Sequence, residues 1–132
     1  MNEMNQYSPK VAVYRTDYKT ERSVFVDEVK LSDAGLEVTV TSKSWKVDVV
    51  FDAIYGFRVL DEGDLTEFWS ECNLKMGWCF TVSEGGWLSL ESSRAHFVSG
   101  KLYQPIEFLI IGQNECVSIM AQEEPKISEV RL

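Results

Sequence analysis

The sequence predicts a mainly β protein: an antiparallel sheet curled into a barrel or small sandwich, with one short α-helix near residues 64–73. Two observations carry that prediction. Apolar and polar residues alternate along most of the chain in short runs separated by turn-forming residues. The period lengthens to that of a helix in a single window. The 132 residues, 45% of them hydrophobic and 26% charged, suit one folded domain spanning 1–132 rather than two.

In chain order, residues 10–15 and 23–31 alternate and are rich in Val, Phe and Tyr, side chains that pack well on a pleated surface. Asp33, Ala34 and Gly35 supply a turn. Residues 36–41 follow with Leu36, Val38 and Val40 on one face. After a polar break at 41–44, residues 45–51 place Trp45, Val47, Val49 and Phe51 together. Residues 53–60 read as a fifth strand, in which the isolated Gly56 marks a bulge or a close backbone approach.

The period then changes. Leu65, Phe68, Trp69 and Cys72 fall at i, i+3, i+4 and i+7, one face of a helix. Asp64 followed by Glu67 has the spacing of a capping box, in which two side chains satisfy free backbone donors of the first turn. Beyond it, residues 77–82 and 87–91 flank Ser83, Glu84, Gly85 and Gly86, a hairpin signal because glycine accepts positive φ freely. Residues 106–111 and 115–120 flank Gly112, Gln113 and Asn114 as a second hairpin. Residues 92–105 read as loop, and the tail from Gln122 runs along the surface or adds a short edge strand.

Several chemistries find no support. His96 is the only histidine, so no histidine cluster is available to a metal and no second imidazole to a relay. No nucleophile elbow, phosphate-binding loop, dinucleotide fingerprint or His-Glu-x-x-His motif occurs. A pairing of His96 with a cysteine stays arithmetically open, since activation is spatial, but Cys72 and Cys116 fall on apolar faces where thiols are inert. Cys72, Cys79 and Cys116 form no close pair, which suits three free thiols in a reducing, cytoplasmic compartment. Residues 1–10 lack the apolar run of a secretory signal, and the apolar run 108–112 is far too short to span a bilayer. The expectation is no catalytic residue, no cofactor and no metal.

Charge is the unusual feature. Thirteen bases against 21 acids leave a net −8 and a pI near 4.6. That balance argues against nucleic acid, whose phosphates demand a basic face, and against docking on anionic membranes. A basic protein partner is the better match. Residues 59–93 hold seven acids and one base, Lys75, and so carry −6 of the −8. Asp61, Glu62, Asp64, Glu67 and Glu71 cluster there, and on the predicted helix Glu67 and Glu71 are i, i+4 neighbours that repel. Three readings of the segment stand: a solvated helix face whose acids favour the helix dipole, a patch for a basic partner, and a divalent-cation site, although the spacing is not that of an EF-hand. Trp87, directly after the glycine turn, is the candidate apolar anchor, an aromatic among acids. Trp45 and Trp69 read as core.

Two segments, Tyr55-Gly-Phe-Arg-Val-Leu-Asp-Glu-Gly-Asp-Leu-Thr-Glu-Phe-Trp69 and Phe108-Leu-Ile-Ile-Gly-Gln-Asn-Glu-Cys-Val-Ser-Ile-Met120, resemble segments of small bacterial immunity-type proteins, which neutralise the polymorphic toxins of competing strains. The resemblance implies a cytoplasmic, non-enzymatic protein that binds one cognate toxin tightly and masks its active surface. Many toxins of such systems are basic nucleases, which agrees with the acidic middle of the chain. Two other classes stay open on the residues alone. One is a β-barrel holding a small apolar ligand in its lumen; the other is an enzyme using the carboxylates with His96.

Overall fold

A computed structural model describes residues 8–131. Strands β1 (Lys10–Val13), β6 (Cys79–Glu84), β7 (Ile106–Ile111), β8 (Glu115–Ala121) and β5 (Ile54–Asp61) form, in that order, a five-stranded sheet. Strands β2 (Phe25–Ser32), β3 (Gly35–Thr41), β4 (Lys46–Phe51) and β9 (Lys126–Glu129) form a four-stranded one. Every pairing is antiparallel. Neither sheet closes, so the arrangement is sandwich-like and the expected barrel alternative, with its lumen for a ligand, is set aside.

The alternating strands fold as their pattern dictates. Leu36, Val38 and Val40 of β3 and Val47, Val49 and Phe51 of β4 are buried, and meet Phe108, Ile110, Val117, Ile119 and Ala121 of the other sheet. Gly35 makes the β2–β3 turn possible: its φ is +108°, and any Cβ there would collide with the carbonyl of Phe51. The tail contributes β9 as an edge strand beside β4.

A second core lies on the outer face of the five-stranded sheet, the face turned away from the four-stranded one. Phe80, Val82, Leu109, Ile111 and Cys116 point there and are covered by Leu65, Phe68 and Cys72. Strands β7 and β8 are therefore buried on both faces, which is why they read as nearly continuous apolar runs instead of alternating ones.

Three expectations need correction. The segment 64–73 is not an α-helix. It forms two 3₁₀ turns, Glu62–Asp64 and Thr66–Phe68, separated by Leu65 at φ −125°, ψ 35°, which breaks helical geometry. Asp61, not Asp64, supplies the cap, its carboxylate accepting from Gly63 N at 2.8 Å, so no Asp64–Glu67 capping box forms. The apolar positions still point inward, with Leu65, Phe68 and Cys72 buried. Residues 77–82 and 87–91 are not the two arms of a hairpin: the chain leaves β6 and enters helix α1 (Trp87–Ser92). The expected loop at 92–105 contains a second short helix, α2 (Val98–Leu102).

Candidate functional site

The register of β5, β8 and β7 sets two rows of side chains on the outer face. Gly56, Met120 and Glu107 make one row; Arg58, Ser118 and Leu109 make the next. Gly56 serves both purposes expected of it. The pairing register slips beside it, and a Cβ there would stand 3.1 Å from Cε of Met120 and 3.3 Å from Cη2 of Trp87, so the missing side chain gives both room to pack against the strand. The Arg58 guanidinium then covers that indole, its Cζ 5.4 Å from the ring centroid, in a cation–π contact.

Glu107 explains why α1 starts where it does. Gly86 sits at the N-cap position and has no side chain to cap with. The Glu107 carboxylate arrives from β7 instead and accepts from Trp87 N at 3.0 Å and Leu88 N at 2.8 Å. Two glycines admit it for different reasons. Gly85 turns the chain at φ +72°, whereas a Cβ on Gly86 would fall 2.7 Å from a Glu107 oxygen. Glu107 is 2% exposed. Burial pushes its carboxyl above the ordinary range, against the opposing pull of the two amides and of Arg58. Burial likewise lowers the pKa of Arg58, while Glu107, Glu67 and Glu91 sustain its charge.

Above these rows lies a groove of about 590 Å³ between α1 and the acidic segment. Arg58, Gly85 and Gly86 line it. Thr66, Glu67 and Ser70 of the acidic segment, Ser89, Leu90 and Ser93 of the α1 region, and Ser8 complete the lining. Next to it the two short helices expose apolar side chains: Leu90 is 62% exposed, Leu102 67% and Tyr103 54%. Tyr103 stacks on Tyr55 of β5 with ring centroids 5.4 Å apart, which ties the end of α2 to the sheet.

The predicted site residues are distributed unevenly over this surface. Glu62, Asp64, Glu67 and Glu71 are exposed, but only Glu67 lines the groove. Asp61 is engaged as a cap. Glu71 is not the helical neighbour of Glu67, because the α-helix that would align them is absent. Trp87 is half-buried, its ring sandwiched between Gly56 and Arg58, so Leu90 and Leu102 are the freer apolar groups. His96 is exposed, and the three cysteines are buried and free. Burial pushes the thiols of Cys72, Cys79 and Cys116 up to about 11, 12 and 12, the opposite of nucleophile activation. Among the described residues no cluster of three or more His, Cys, Asp or Glu side chains is placed to hold a metal, and no helix is long and apolar enough to cross a membrane.

Sequence reasoning missed Arg58, Glu107 and Leu90. The signal for the first two was present: each is a lone charge inside an otherwise apolar strand, and such residues are buried only when something holds them. No protein-family model matches the chain, and no curated protein or solved structure is significantly similar to it.

Proposed function

We propose that the protein is a non-enzymatic interaction protein of the immunity type, which binds a basic protein partner, a toxin domain, through the outer face of the five-stranded sheet. The observation that carries this reading is that Glu67 of the acidic segment and Leu90 of α1 line one groove. Acidic charge and exposed apolar surface thereby adjoin at Glu67 and Leu90. An apolar centre with a charged rim is the anatomy of a specific interface, and the sign of the rim selects a cationic partner.

The test is capture of the toxin domain encoded beside this gene by the purified protein. Leu90→Asp should lower affinity at least tenfold, which corresponds to about 1.4 kcal/mol, and Glu67→Lys with Glu71→Lys should weaken binding further. Full-strength capture by both variants would remove this face as the interface.

A further inference from the structure

The groove also holds a charge arrangement that a protein partner's rim does not require. Glu91 is paired with Arg94 at 3.1 Å, and Glu107 is taken up by the amides of Trp87 and Leu88. Among the described residues this leaves one cation and one anion lining the groove without an ion pair: Arg58 from β5 and Glu67 from the second 3₁₀ turn. They lie beyond the 4.0 Å of a salt bridge, yet near enough for the field of Glu67 to act on the guanidinium.

Arg58 also lies against the Trp87 ring; its Nε is shut off from solvent and donates to no group among the described residues, so a ligand in the groove would meet the outer nitrogens of the guanidinium. The other buried side-chain atom without a partner there, Oγ of Ser118, belongs to the residue directly opposite it in the sheet. A planar guanidinium backed by an aromatic ring is suited to a carboxylate, which its two outer nitrogens grip with two parallel hydrogen bonds.

An anion alone would meet Arg58 but be repelled by Glu107, Glu67 and Glu91, whose fields all reach the guanidinium. A cation alone would meet Glu67 but be repelled by Arg58. A molecule carrying both charges satisfies both groups and leaves neither desolvated without a counter-charge. The same groove is lined by the exposed side chain of Leu90 and by Ser70 and Ser89. The volume of about 590 Å³ lies in the range of small-ligand sites, roughly 300–1,000 Å³. We infer that the groove is a binding site for a zwitterion with an apolar body, a free apolar amino acid or short peptide, its carboxylate on Arg58, its ammonium on Glu67 and its side chain against Leu90. This inference does not rest on the partner reading, and either stands if the other fails.

The experiment is a ¹H–¹⁵N NMR titration of the full chain with four probes: L-leucine, leucyl-leucine, N-acetyl-L-leucine, which lacks the ammonium, and L-leucinamide, which lacks the carboxylate. At least one of the two zwitterions should shift the signals of Trp87 and Leu90 saturably, and at least tenfold more tightly than either singly charged probe. Which zwitterion binds more tightly distinguishes a free amino acid from a peptide as the source. Glu67→Gln should abolish the discrimination against N-acetyl-L-leucine, and Arg58→Lys, which keeps the charge but loses the fork, should weaken both zwitterions. Equal binding of all four probes, tighter binding of a singly charged one, or no saturable shift up to about 10 mM, a concentration above the weakest useful affinities, would overturn the proposal. The four-probe comparison is made on the unmodified protein, so it holds even where a variant fails to fold.

Discussion

Glu107 concentrates much of what one residue does in this fold. Its carboxylate joins β7 to the start of α1, so its loss leaves two amide donors without their acceptor and removes the carboxylate whose field acts most strongly on the half-buried Arg58. Glu107→Ala should lower stability by about 2–4 kcal/mol, measured by urea unfolding, with loss of α1 protection in hydrogen exchange. Glu107→Gln reports on charge separately. In the folded state the carboxyl titrates above its ordinary 4.5 because burial disfavours its charged form. The native state therefore holds the proton more tightly than the unfolded chain, and stability from this group falls as pH rises from 4.5 through the folded value. Glutamine has no such dependence. The advantage of wild type over Glu107→Gln should thus be largest below pH 4.5 and shrink toward pH 7; an advantage that grows with pH would contradict the burial argument. Gly86→Ala makes a steric control, since its methyl would occupy the space of the same carboxylate.

At the scale of elements, the outer core depends on one irregular segment. Phe68 is fully buried between the 3₁₀ turns and the five-stranded sheet. Phe68→Ala should cost about 3–5 kcal/mol and raise hydrogen exchange across 62–72 more than across β3 and β4, which pack on the other face. Equal loosening of both regions would show that the segment is not a separable layer. The strands were legible in the sequence because period two is a local property: β3 and β4 announce Leu36, Val38, Val40, Val47, Val49 and Phe51 with no outside help. The 62–72 segment was half legible. Its inward residues follow the apolar spacing, but Leu65 and the Asp61 cap decide 3₁₀ over α. Helix α1 was illegible for a definite reason: its cap, Glu107, lies 20 residues away from Trp87 in the chain, so the local pattern Trp-Leu-Ser-Leu-Glu was free to look like a strand. The site followed the same division. Glu67 could be chosen from local charge, whereas Arg58 and Leu90 join it only through the sheet register and the course of α1.

For the whole molecule, the question is how a net charge of −8 and one groove divide the work of binding. Residues 59–93 carry most of that charge; the acids Glu62, Asp64, Glu67 and Glu71 are exposed, and Glu67 shares its groove with Leu90 of α1. Charges that remain in solvent act at long range, within a Debye length of about 8 Å at physiological salt, and so steer the encounter with a basic partner. Apolar side chains act only after contact, when water leaves, and so govern departure. The two kinds of variant should therefore separate in a kinetic assay with the toxin domain. Glu67→Lys with Glu71→Lys should slow association several-fold and flatten its decline between about 50 and 200 mM salt, with dissociation changed less. Leu90→Asp adds one acid to an already acidic face, so any steering by charge is kept or strengthened; its effect should fall on dissociation, which should quicken about tenfold or more. Association of the double variant that matches wild type at both salt concentrations would show that the acidic segment does not steer the partner, whatever the affinity. A Leu90→Asp effect confined to association would show that the apolar helices stay outside the contact.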